Sequence, residues 1–161
     1  MVKNSKNNLE KIVINVGIGK MSNLPNFQEK ILPALSQELG AITGQKAAFR
    51  PAKKSIAGFK LRTGTVVGLK TTLRRKRMSE FLKKLVQVTL PRVRDFRGIN
   101  PKAVDLNGNL TIGIKEHLVF PEISPEISKT NFGMEITIVP KLRNKKMAME
   151  LYKELKIPFK K

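Results

Sequence analysis

Four segments of this chain alternate with a period of two, and each gathers its apolar residues on one side. In Glu10–Val16, Ile12, Ile14 and Val16 face one way while Lys11, Val13 and Asn15 face the other. In Val66–Arg74 the two sets are Val67, Leu69, Thr71 and Leu73 against Val66, Gly68, Lys70, Thr72 and Arg74. Leu110, Ile112 and Ile114 alternate with Thr111, Gly113 and Lys115; Met134, Ile136 and Ile138 alternate with Glu135, Thr137 and Val139. Neighbouring side chains of a strand point to opposite faces, so each segment predicts a half-buried strand. Lys46–Arg50 is compatible with a further short strand.

Helical spacing separates these strands. Phe27, Ile31, Leu35 and Leu39 recur every four residues, which predicts a helix closed near Gly40, with Pro33 marking a kink or a later start. Met78, Phe81, Leu82, Leu85, Val88 and Thr89 form a second stripe, stopped by Pro91. Asn144–Lys156 forms a third, with Met147, Leu151 and Leu155 inward. Pro51–Gly64 reads as a loop, Arg92–Gly98 as a basic turn and His117–Gly133 as irregular chain. This order predicts one α+β domain over residues 1–161: an antiparallel or mixed sheet, helices packed on one face, and an open face bearing Lys11, Asn15, Lys70, Thr72, Arg74 and Lys115.

Charge says what such a face would meet. The net charge is +20, and residues 41–100 hold 16 Lys and Arg against only Glu80 and Asp95. A sequence pI near 10.5 and so dense a block point to a polyanionic partner, usually nucleic acid phosphate. Lys and Arg would meet phosphates, and Asn, Gln and Thr would meet 2′-hydroxyls and base edges. The alternative is a solvated basic face.

Little else in the chain offers chemistry. With no cysteine there is no disulfide, thiolate zinc site or cysteine nucleophile, which fits a reducing compartment. No apolar run approaches the ~18 residues of a membrane span, and MVKNSKNNLE lacks the apolar core of a secretory signal. The single His117 assembles no nucleophile and base, and reads as structural or exposed. Glu122 and Glu126 read as a solvated pair. Gly17-x-Gly19 fails the dinucleotide fingerprint at Ser22. Gly44-Gln45-Lys46 fails as a phosphate loop, because Gly40 is one residue too close and Ala47 replaces the metal-binding hydroxyl. We expect no catalytic residue, metal, cofactor, small-molecule substrate or membrane partner.

Six blocks stand in a telling order: KIVINVGIGK (Lys11–Lys20), AITGQK (Ala41–Lys46), KKSIAGFKLR (Lys53–Arg62), GLKTTLRRKRM (Gly68–Met78), PRVRDFRGI (Pro91–Ile99) and VFPEI (Val119–Ile123). Together they resemble the 5S-rRNA-binding protein family of the large ribosomal subunit, the fifth in the usual numbering. The match runs from about Lys11 to Ile138, and the closing Pro158-Phe159-Lys160 agrees.

The resemblance implies an α+β sandwich with a concave sheet face on 5S rRNA, contacted by Asn15, Gln45 and Thr72, with Lys11, Lys46, Lys70 and Arg74 on phosphates. Asn15 has the alternative of a buried amide bonded to its neighbours. The resemblance also implies a mobile basic loop, 50–64, reaching 23S rRNA and the elbow of the peptidyl-site tRNA through Arg50, Lys53, Lys54, Ser55, Lys60 and Arg62. Phe59 on that loop either stacks on tRNA or packs beneath the loop. A third implied surface, Phe120–Gly133 with Pro121, Glu122, Ile123 and Glu126, bridges to a small-subunit head protein; its alternative is an ordinary exposed loop. The polar start is shorter than the helical leader usual in the family. The expected place is a ribosome, cytoplasmic or organellar. The rival reading is a general nucleic-acid-binding or RNA chaperone protein.

Overall fold

The strand read from Ile12, Ile14 and Val16 is β1 (Leu9–Gly17), the middle of a five-stranded sheet. The structure, a computed structural model, describes residues 8–126, 128 and 130–160. Most of the polar leader lies outside the described residues. β2 (Ala48–Pro51), β3 (Val66–Leu73), β4 (Leu110–Ile114) and β5 (Met134–Pro140) complete the sheet, in the order β2-β3-β1-β5-β4. Every paired neighbour is antiparallel.

The three helices are α1 (Leu32–Thr43), α2 (Arg75–Lys84) and α3 (Lys145–Glu154). The inward sets of the strands join Leu35, Leu39 and Ile42 of α1, Phe81 and Leu82 of α2, and Leu151 and Tyr152 of α3 in one core. The helices therefore cover one sheet face and leave the other open. That is the α+β arrangement the alternation predicts.

Several boundaries shift for local reasons. Phe27–Ile31 is a π turn that runs directly into α1 at Leu32, with Pro33 in the first turn of α1. The helix does not close at Gly40. It runs to Thr43 and ends on Gly44, whose φ of 67° is the left-handed cap conformation. The second stripe also passes Pro91: a π turn at Leu85–Thr89 leads into a last turn at Leu90–Arg92. That wider turn rotates the face, so Leu90 is buried and Val88 is exposed, contrary to the stripe.

In α3, Met147 points outward and Ala148 takes the core position expected of it. The small side chain admits the 105–109 turn: a Cβ added to Gly108 would lie 2.7 Å from that of Ala148. Tyr152 is fully buried, and its hydroxyl donates toward the carbonyls of Gly108 (2.6 Å) and Ile138 (3.2 Å). Burial pushes this hydroxyl well above the ordinary tyrosine range. Tyr152→Phe leaves both carbonyls without this donor. We expect it to cost about 1–2 kcal/mol in urea unfolding; a loss within error would show that neither bond matters.

Candidate nucleic-acid interface

The register turns the outward residues of five strands into rows. Ala48, Lys70, Asn15, Glu135 and Gly113 lie side by side across the sheet. The next row holds Thr72, Val13, Thr137 and Thr111. On the other side, Arg50, Gly68 and Gly17 continue the pattern. Lys11 and Val139 are paired further along. The open face thus carries amide, hydroxyl and ammonium groups and the Glu135 carboxylate among small residues, and these rows contain no aromatic side chain. Asn15 is exposed, so it is not the buried amide of the alternative reading.

Gln45 reaches this face by a different route. The Thr43 hydroxyl donates to the Leu39 carbonyl (2.8 Å) and accepts from the Gln45 N–H (3.3 Å), which fixes the turn after α1. From there the Gln45 amide donates to the Thr72 carbonyl (3.2 Å) and its oxygen accepts from Arg77 (3.2 Å). β2 begins only at Ala48, opposite Lys70. The Gln45 amide occupies the edge of β3 that β2 leaves unpaired. Thr72 and Gln45 are therefore joined directly, whereas Asn15 stands in the next row. Lys46 is exposed beside them.

At the far end of β1 the strand is irregular between Leu9 and Lys11, which sets Glu10 off the regular alternation. Glu10 meets Lys11 at 3.1 Å and Arg74 at 3.6 Å. The hydrogen bond from Lys11, aided by its charge and that of Arg74, holds the Glu10 carboxyl below the usual carboxylate range. Arg74 precedes α2 and remains exposed.

The basic loop carries its own pairing. Backbone bonds join Ala52 to Thr65, and Ile56 to Leu61 in both directions. The Ser55 hydroxyl accepts from the Thr63 N–H at 2.9 Å. Lys53, Lys54, Lys60 and Arg62 are all exposed. Phe59 is 74% exposed, so its ring is not packed beneath the loop. A groove of about 530 Å³ separates Phe59 and Leu61 from Gly19 and Val67.

The 117–133 segment is fastened from below. His117 is fully buried and stacks on Phe132, with ring centroids 3.9 Å apart. Its Nε2 lies 2.9 Å from the Ser128 hydroxyl and 3.1 Å from the Glu38 carboxylate of α1. Lys84 of α2 donates to the Ile42 carbonyl and to Glu122, and lies 5.7 Å and 5.9 Å from the Phe81 and Phe120 ring centres. Of the residues expected on a bridging surface, Pro121 and Glu126 are exposed, Glu122 is tied to Lys84, and Ile123 is part of the core. Sequence reasoning missed the fastening residues Glu38 and Lys84, and Arg77 on Gln45. A stripe of helical spacing carries no sign of which charged neighbour turns back onto a distant loop.

Comparison with known proteins agrees over nearly the whole chain. Residues 5–62 match the family model described as Ribosomal protein L5, and residues 66–159 match the model of the same family's C-terminus. Large ribosomal subunit protein uL5 of Halothermothrix orenii is 49% identical over 153 residues, covering 94% of this chain and 82% of that protein. The protein of the same name from Trichlorobacter lovleyi is 51% identical over 152 residues, covering 94% and 82%. That from Macrococcus caseolyticus is 51% identical over 154 residues, covering 95% and 83%.

Proposed function

Since the chain belongs to the ribosomal protein L5 family of the large ribosomal subunit, we propose that its open sheet face binds 5S rRNA and helps anchor it in the central protuberance. A structural, rRNA-binding role in the large subunit follows from membership in the family. The finer reading rests chiefly on one observation, the row of Lys70, Asn15 and Glu135 with Thr72 and Gln45 in the next. Amide and hydroxyl groups both donate and accept, as 2′-hydroxyls and base edges require, and the lysines beside them neutralise phosphate. In the same reading the 50–64 loop contacts 23S rRNA and the peptidyl-site tRNA elbow, with Phe59 exposed for stacking. Pro121, Glu122 and Glu126 face a basic protein of the small-subunit head, and Ile123 supports them from the core.

The test is binding to 5S rRNA at physiological salt with excess tRNA and duplex RNA as competitor. Retention of the 5S complex is expected, and its loss to any competitor would leave only a general nucleic-acid binder. Asn15→Ala should weaken 5S rRNA selectively. A Lys53→Ala, Lys54→Ala double variant should leave 5S binding nearly intact and weaken tRNA contact. Equal effects of both on 5S rRNA would show that the division of surfaces is wrong.

A further inference from the structure

Among the rows of the cationic open face stands one carboxylate. Glu135 is exposed, directly across from Asn15 on β1 and from Gly113 on β4. Lys70 stands in its row but two strands away, about 10 Å by the spacing of strands, and Lys115, two residues beyond Gly113 on the adjacent strand, is nearer but forms no ion pair with it. Among the described residues Glu10, Glu80 and Glu122 are ion-paired with lysine or arginine and Glu38 lies against His117, but Glu135 has no such partner. An unneutralised carboxylate repels phosphate, so it works against the backbone contacts made around it. What it can do is accept hydrogen bonds.

The surface beside it is bare. Gly17 and Gly68 face each other across β1 and β3. With Gly133, Asn15, Arg50 and Glu135 they line a groove of about 450 Å³. A Cβ added to Gly17 would meet nothing within 4 Å, whereas one on Gly68 or Gly133 would come within 3.2 Å or 3.1 Å of a backbone carbonyl oxygen, so the absence of side chains at these positions keeps the groove open to a flat group. Unpaired bases of RNA are read on their Watson–Crick edges after being splayed from the stack. Guanine alone among the four bases presents two adjacent donors there, N1–H and N2–H, spaced to match the two oxygens of one carboxylate. Cytosine and adenine present one amino group, and uracil one imino group. Arg50, across the groove, offers a guanidinium plane for stacking or for the neighbouring phosphate.

We propose that Glu135 seats an unpaired guanine in the groove floored by Gly17, Gly68 and Gly133, its carboxylate accepting from guanine N1–H and N2–H. The inference rests on the open face meeting 5S rRNA, and it makes Glu135 the residue that converts charge-driven binding into base selection. The same carboxylate repels a duplex backbone laid across this row, which adds discrimination against the wrong RNA.

The probe is 5S rRNA transcribed with scattered inosine in place of guanosine, a change that removes only the N2 amino group. Molecules bound by the full chain and by Glu135→Gln are separated from unbound ones, and the inosine positions are mapped. We expect a guanosine at which inosine is excluded from the wild-type complex but tolerated by Glu135→Gln. The variant should bind unmodified 5S rRNA about tenfold to hundredfold more weakly, the range of one bidentate base contact, while duplex RNA binds as well or better. Identical inosine maps for the two proteins, or unchanged 5S affinity of the variant, would overturn the inference. Failure of the wider reading looks different: the wild type would then not hold unmodified 5S rRNA against competitor.

Discussion

If the open face binds 5S rRNA as proposed, raising the salt from about 50 to about 200 mM should lower that affinity by roughly 10³–10⁵-fold, the loss expected when about 6–10 phosphates are neutralised. On that reading the cations that would make those contacts are Lys11 and Lys70 on the open face, Arg74 at its end, Lys46 and Arg50 at the β2 edge, and Lys115 after β4. Among these cations, Lys11 and Arg74 are paired with Glu10. Each lysine or arginine on a phosphate contributes about 0.7–0.9 to the slope of log affinity against log salt. Replacing Lys70 and Arg74 together by alanine should therefore flatten that slope by nearly two. Replacing Lys53 and Lys54 should leave it unchanged for 5S rRNA. A slope indifferent to Lys70 and Arg74 would mean that the phosphates lie on another surface.

Gly98→Ala is expected to be the most damaging single methyl in the basic turn. Gly98 has a φ of 96°, which side-chain-bearing residues rarely adopt. An added Cβ would lie 2.8 Å from the Lys160 nitrogen and 2.8 Å from the Phe159 carbonyl carbon. These are backbone atoms, held because Ile99 donates to Pro158 at 2.8 Å and Lys160 donates to Ile99 at 2.9 Å. Neither segment can move aside without losing this pairing. Backbone strain and overpacking together should cost about 3–5 kcal/mol in urea unfolding. Gly58→Ala is the control: its Cβ meets nothing within 4 Å, and it should change stability by less than about 0.5 kcal/mol. If both variants unfold at the same urea concentration, the chain end does not hold the turn.

Much of the core was legible because a strand repeats every two residues wherever its partner lies. Ile12, Ile14, Leu69, Leu73, Leu110, Ile136 and Ile138 are buried as the alternation predicts. β2 was only weakly legible, because all four of its residues are exposed and an edge strand with no buried face shows no alternation. The errors in the helices share a cause. A one-residue change in hydrogen-bond span at Leu85–Thr89 turned Val88 outward, and the space required by the 105–109 turn favoured Ala148 over Met147. Periodicity assumes a regular helix against a flat neighbour, and neither condition held.

Taken alone, the sequence settled which residues are inward, where most of the charge lies, and which family the ordered blocks resemble. Those properties depend on residue type and local spacing. Which outward residues stand together was a matter of register and chain crossing. Asn15 faces Lys70 on one side and Glu135 on the other; Gln45 supports an edge 27 residues away; His117 meets Glu38. Each of these pairings joins segments far apart in the chain. The register that brings them together follows from burying the whole apolar face at once, since a one-residue slip would turn every inward side chain to solvent.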